Sequence, residues 1–268
     1  MKTKRRKKTV LTVLCILLAL IAVLAGILAV NASKNLRVMY ETVSMGMDEL
    51  NARYTVTPCD AGEYSDLTMY GVMKFHTEQY EIEGLGNLSV MTSNMYMMQM
   101  VSFMITPFEK NVPLCTLDFM YILGNRKSYV EFYDLVGDKQ TEEYAGVLAA
   151  LREMQSRWTD VPELEPGENW YDSLLSVVMH KSLTSQDEVR NQELFKDALK
   201  TYLDAADALP QSTQEEAAAQ LRNTEEYSRG LIQRGGVSTD VFKKALGEET
   251  TRDFFGKVFF GTEHYQNP

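Results

Sequence analysis

The pattern of apolar and polar positions changes three times along the chain. From Val10 to Val30 there is no alternation at all: VLTVLCILLALIAVLAGILAV runs without a charge. As a helix rising about 1.5 Å per residue, these residues span roughly 30 Å, the thickness of a bilayer's hydrocarbon core. From residue 34 to 54 the period changes. Leu36, Met39, Tyr40, Val43, Met47 and Leu50 recur at three- and four-residue spacing and predict an amphipathic helix. A loop through Pro58, Cys59, Asp60 and Gly62 follows.

Between residues 69 and 136, runs rich in Val, Ile, Tyr, Phe and Met are broken by short turns. They predict five antiparallel strands, at 71–83, 88–91, 95–106, 114–123 and 128–135. Beyond Asp138 the pattern reads as helix, with segments at 142–158, 173–182, 188–208, 213–233 and 239–259. Strands first and helices second is an α+β order, with helices packed on an antiparallel sheet. The expected organisation is a basic tail at 1–9, a membrane anchor at 10–30, a juxtamembrane helix and loop at 31–62, and one folded domain at 63–268.

Charge sets the orientation of this arrangement. MKTKRRKK places six cations before the apolar run, and basic flanks stay in the cytoplasm. The chain after Asn31 is therefore expected outside the cytoplasm, on a single-pass cell-membrane anchor whose partner through residues 10–30 is lipid. A long secretory signal peptide is the alternative, because Val30-Asn31-Ala32 has the small-residue spacing of a cleavage site. Without the flank, 21 Lys and Arg face 37 Asp and Glu, near −16, a balance that excludes nucleic acid as a partner.

Standard catalytic signatures are absent. His76, His180 and His264 have no Cys or His neighbours at metal-ligand spacing, so no metal site is expected, and there is no GxSxG, Walker or dinucleotide motif. Cys15 lies in the anchor; Cys59 and Cys115 are either a disulfide or two separate thiols. Six of the fifteen Met fall between Met91 and Met104. Alternation there leaves both strand faces largely apolar, which predicts a sheet covered on both sides. The methionines are either gap-filling core or the lining of a soft pocket for a flat apolar ligand.

One acid interrupts these strands. In VPLCTLDFMYIL, Asp118 shares a face with Leu114, Thr116, Met120 and Ile122, while Cys115, Leu117, Phe119 and Tyr121 make the other. That puts Asp118 between sheet and helices, either as a satisfied structural acid or as a proton donor whose pKa is raised by desolvation. From β alternation alone, the neighbouring strand offers Glu131 and Tyr133, or Phe132 and Asp134, depending on register. His180 is the one His placed to supply a second titratable group.

The segments FMITPFEKNVPLCTLDFMYILGNRKSYVEFYDL and KALGEETTRDFFGKVFFG resemble, in order, the central and closing regions of the ferredoxin-dependent bilin reductases and red chlorophyll catabolite reductases. The resemblance implies an α/β/α sandwich with a central antiparallel sheet, a tetrapyrrole held between sheet and helices, and no tightly bound cofactor. It matches Asp118 to the family's substrate-facing acid and Asp134 to the end of the following strand. Thr116, Met120, Met97, Gln99 and His180 are the expected pocket residues. The chain departs from the pattern in carrying Thr116 where the family commonly has Gly, and Met97, Met98 and Gln99 where many members carry a His. An exported acidic domain does not meet cytosolic ferredoxin, so the electron donor is unassigned. Two functions remain open: binding, with or without reduction, of a linear tetrapyrrole, and a non-enzymatic structural or interaction module of the envelope.

Overall fold

The computed structural model describes residues 2–165 and 167–266, with side chains from residue 11 onward; the cationic flank at 1–10, Pro166 and residues 267–268 lie outside the described side chains. The first helix, α1 (Lys2–Asn51), is unbroken. Among the described residues it is the one helix long and apolar enough to cross a membrane. Its two halves have different surroundings. Residues 11–30 are exposed apart from the half-buried Leu28, whereas Met39, Thr42 and Leu50 are buried.

All strand pairings are antiparallel. The strands are β1 (Val56–Cys59), β2 (Asp66–Met69), β3 (Met73–Ile82), β4 (Gly86–Asn94), β5 (Met98–Pro107), β6 (Leu114–Ile122), β7 (Asn125–Tyr133) and β8 (Leu175–Thr184). The sheet order is β1-β3-β4-β5-β6-β7-β8, with β2 pairing the remaining edge of β3. Helices follow as α2 (Glu142–Ser156), α3 (Glu188–Asp207), α4 (Gln214–Arg234), α5 (Val237–Leu246), α6 (Glu248–Phe254) and α7 (Thr262–Tyr265), with a wide π turn at Phe255–Phe259 before α7. The expected α/β/α sandwich is present.

Each sheet face has its own core. Val101, Phe103, Leu117, Phe119, Val130 and Phe132 point toward α1, α2 and α3. Phe195 of α3 meets Phe103 and Phe119 edge-on, at centroid distances of 5.5 and 5.4 Å. The opposite face carries Phe75, Met91, Met104, Leu114 and Tyr133 toward α4, α5 and α6. Burying a large apolar side chain contributes about 1.5–3 kcal/mol, so both layers are held chiefly by this packing. Residues 31–62 supply α1's packed half and the edge strand β1, and so take part in the sandwich.

At Gly46, α1 packs closely against the sheet and α3. A Cβ there would lie 2.7 Å from a Phe103 ring carbon and 3.0 Å from Phe195. Gly46→Ala therefore overpacks this interface, and a loss of about 1–3 kcal/mol in denaturant unfolding is expected; an unchanged midpoint would show that the rings yield freely.

Three expectations are corrected. Residues 173–182, expected as helix, form β8, because Val177, Met179, Lys181 and Leu183 alternate inward with period two against β7. The predicted strand at 95–106 begins only at Met98: Met95, Tyr96 and Met97 make the β4–β5 turn, with Tyr96 at φ 57°. The 239–259 helix divides at Gly247, whose φ of 87° ends α5 and starts α6. Beyond these, β1 and β2 occupy what reads in sequence as loop. Cys59 and Cys115 are both free thiols.

Candidate functional site

The ladder registers place side chains in ranks across the face that α4, α5 and α6 cover. One rank runs Thr77, Met91, Ser102, Asp118, Tyr129, His180 from β3 to β8. The rank beside it runs Ser89, Met104, Thr116, Glu131, Val178, and the one on the other side Ser93, Met100, Met120, Lys127, Ser182. Asp118 thus sits at the centre of a patch that joins polar groups with methionines.

Cover over this patch is uneven. Toward Leu114 and Tyr133 it is sealed by Tyr227, Phe254, Phe255 and Phe260. Toward the β6–β7 turn, Met98, Met100, Met120, Ile122, Lys127, Tyr129 and His180 are each half-buried. The result is a trough, closed and aromatic at one end and open at the other. An aromatic cluster flanks it: Tyr227 lies 5.0 Å from Tyr133, 6.1 Å from Tyr171 and 5.8 Å from Phe260 between ring centroids.

Hydrogen bonding is incomplete on this face. Protein partners are lacking for Thr77 Oγ1, Ser89 Oγ, Ser93 Oγ, Thr106 Oγ1, Thr116 Oγ1 and Asp118 Oδ1. Each such group shielded from water costs about 1–3 kcal/mol unless something else satisfies it. Thr116 and Asp118 are next to each other on β6, so two of these unsatisfied groups meet at the middle of the trough.

Electrostatics single out Asp118. Desolvation pushes its carboxyl up to about 7; Ser102, directly across the ladder, acts the other way, the Glu131 charge adds to the rise, and His180 opposes it. A carboxyl near neutrality holds or releases a proton at ordinary pH. Glu131 is differently placed. Its Oε1 accepts from His180 Nε2 at 2.7 Å, and its Oε2 accepts from the Tyr133 hydroxyl. Tyr129 meets the His180 ring edge-on at 4.9 Å. Burial raises the Tyr133 and Tyr227 hydroxyls well above their ordinary range and Tyr171 to about 12, so these phenols stay protonated.

The structure gathers Asp118, Thr116, Met120 and His180 on one face, although His180 arrives from a strand rather than from the expected helix. Met97 and Gln99 are not among them. Met97 is an exposed turn residue, and Gln99 alternates with Met98 and Met100, so it points to the α1 side, where it donates to Asn94 Oδ1 and the Tyr96 carbonyl. Strand parity decides this: the β5 residues over the trough are Met98, Met100, Ser102 and Met104. Asp134 lies past the end of β7, accepting from the Tyr144 hydroxyl at 2.6 Å and pairing with Lys139 at 3.0 Å. It lines a separate cleft of about 520 Å³ between α4 and Trp170, which Asp118 does not reach.

Glu131, Tyr129, Tyr171 and Tyr227 complete the site. Strand parity alone could have found Tyr129 and Glu131 once the β6–β7 register was known; no local signal marks Tyr171 or Tyr227. Among the described residues there is no cluster of three or more His, Cys, Asp or Glu able to hold a metal ion.

Among solved structures, this chain is similar to phytochromobilin synthase from tomato in complex with biliverdin. The TM-score is 0.69 at 14% identity, covering 86% of this chain and 85% of that chain. No family model and no curated protein matches. At this identity the likeness shows the fold, which is the sandwich that the two resembling segments imply.

Proposed function

We propose that this protein binds a linear tetrapyrrole in the trough beneath α4, with Asp118 as the acid that protonates the ligand, and that residues 10–30 anchor it in a membrane with the folded domain outside the cytoplasm. The observation that carries the binding reading is the unsatisfied pair Thr116 and Asp118, set among Met98, Met100 and Met120 on the sheet face of a fold shared with a biliverdin-bound protein. A flat, largely apolar ligand with ring N–H and carbonyl groups suits such a surface, because polarizable methionines adapt to its faces while Asp118 and Thr116 meet its polar edge.

Reduction is the finer reading. It adds two electrons and two protons; Asp118, its carboxyl raised to about 7, supplies one proton, water entering at the open end of the trough supplies the other, and an external donor supplies the electrons. His180 is bound to Glu131, so its part is to hold that carboxylate beside the trough. An acidic surface near −16 favours a cationic or neutral electron donor over an acidic one.

Titrating the detergent-solubilised chain with biliverdin tests this. Saturable red-shifted absorbance below about 10 μM is expected, with Asp118→Asn retaining affinity within roughly threefold but losing the absorbance change that reports chromophore protonation between pH 6 and 8. No spectral change with the wild-type chain at tens of micromolar would remove the tetrapyrrole and leave a structural or interaction module on this fold. Binding with an unaltered pH profile in Asp118→Asn would take the acid role from Asp118.

A further inference from the structure

The end of the sheet from which α1 emerges has properties that neither core accounts for. The Met69↔Met73, Lys74↔Asn94, Met98↔Ile122 and Asn125↔Thr184 pairs place the β2–β3, β4–β5 and β6–β7 turns and the exit of β8 all at this one end. The helix is tied to the same place. Asn35 Nδ2 donates to the Leu123 carbonyl at 3.2 Å, and Leu123 N donates to the Met97 carbonyl at 3.1 Å. Each of the first two turns carries large apolar side chains in the open: Tyr70 58%, Val72 55%, Tyr96 71% and Met97 52% exposed. Past α1, the other exposed large apolar side chains among the described residues are Val189, next to the Glu188 that holds Arg126 at this same end, and Val237.

Backbone conformation makes the same turns unusual. Tyr70, Tyr96 and Leu123, with φ of 51°, 57° and 53°, are the non-glycine residues with positive φ among the described residues. One stands at the tip of each hairpin. A bulky side chain in this region costs roughly 1–2 kcal/mol that Gly or Asn would avoid. Packing offers no compensation at Tyr70 and Tyr96, whose side chains are exposed.

We infer that this end of the sheet is seated on the lipid headgroup layer, with Tyr70, Val72, Tyr96 and Met97 in contact with the bilayer surface. The inference rests on reading residues 10–30 as a membrane-spanning segment. From Val30 to Asn35, α1 rises only about 7.5 Å, close to the thickness of one headgroup layer, so the turns hydrogen-bonded at Asn35 stand at that depth. Tyr is enriched at this depth because its ring is apolar and its hydroxyl is wet. Lys34 and Arg37 on α1, and Lys74 on β3, are exposed at the same end and face anionic headgroups. Of the acids there, Asp66 is paired with His76, Glu188 with Arg126 and Glu41 with Arg37, while the exposed Asp187 accepts from Thr184.

The test uses the full chain in nanodiscs of phosphatidylcholine and phosphatidylglycerol at three to one, with nitroxide labels placed singly. Val72→Cys and Met97→Cys, each with Cys15→Ser and Cys59→Ser, keep both turn tyrosines. Glu83→Cys in the same background marks the far end of the sheet, and native Cys15 marks the anchor. Relative to Glu83→Cys, the ratio of collisions with dissolved oxygen to those with a water-soluble nickel chelate is expected to rise at least threefold at positions 72 and 97, and further at Cys15. Labels at 72 and 97 as water-exposed as at 83, with Cys15 in the hydrocarbon, would overturn the seating and leave the anchor intact. A water-exposed Cys15 would overturn the anchor and the seating together.

Discussion

Asp118→Asn is expected to stabilise the folded chain, with a gain that grows by up to about 3 kcal/mol between pH 5 and pH 8. The sign follows from the raised pKa. Burial pushes the folded Asp118 carboxyl up to about 7 from the ordinary 3.8, so in the window between them the folded state holds a proton that the unfolded state has lost. Stability from this group is complete below about pH 3.8 and falls as pH rises through 7. Asn keeps the neutral shape and cannot ionise, so the variant lacks that fall. Urea unfolding of both chains at pH 5, 6.5 and 8 reads the difference directly. Parallel pH profiles would mean that the carboxylate is adequately solvated or paired in the trough. Such a group, held at a cost to stability, is typical of a site that uses it.

Arg126→Ala is expected to cost about 3–5 kcal/mol. Arg126 is 2% exposed. Its Nε and Nη2 donate to Glu188 Oε2 at 2.8 and 2.6 Å, Nη2 also to Asn35 Oδ1 at 3.1 Å, and Nη1 to the carbonyls of Leu123 and Asn125. Its guanidinium lies 5.0 Å from the Tyr121 ring centroid. One side chain therefore ties α1, the β6–β7 turn and α3 together. Removing it leaves the Glu188 carboxylate, whose Oε1 already lacks a partner, without a counter-charge. Arg126→Lys should recover less than half of the loss, since a single ammonium cannot reach this set of acceptors. A second readout is limited trypsin digestion at Lys34 and Arg37, which should accelerate as α1 loosens from the turn. A loss below 1 kcal/mol with unchanged digestion would show that apolar packing alone holds α1 in place.

The two substitutions probe opposite faces of one sheet, Asp118 from β6 and Arg126 from β7, where it is paired with Tyr121. Asp118 and Tyr121 on β6 differ in parity; the first faces the trough and the second faces α1, where its hydroxyl lies 2.9 Å from Thr42 Oγ1. That division is legible in VPLCTLDFMYIL because side-chain direction in a strand alternates whatever the neighbours are. The same alternation excludes Gln99 from the Asp118 face, since it shares parity with Val101 and Phe103. Met97 fails for another reason: a turn begins at Met95, and the apolar run of MYMMQM carries no local mark of it.

β8 shows the limit of periodicity. In LLSVVMHKSL, apolar residues fit a period of two and a period of 3.6 about equally well over ten positions. What makes it a strand is the free edge of β7, which lies more than forty residues upstream. The position of His180 opposite Tyr129, and its bond to Glu131, depend on that pairing.

By itself the sequence determined the apolar span at 10–30, the amphipathic helix after it, the strands-then-helices order and the face on which Asp118 lies. These depend on the repeat of side-chain direction along a local backbone, which each segment carries within itself. Tertiary structure alone decided that β6 and β7 pair with Thr116 opposite Glu131, that His180 comes from an edge strand, and that Tyr171 and Tyr227 close the trough. It also decided that the turns bearing Tyr70 and Tyr96 stand beside the exit of α1. Register and layer contacts are set by side chains far apart in the chain competing for the same buried surface, and no single segment holds that information.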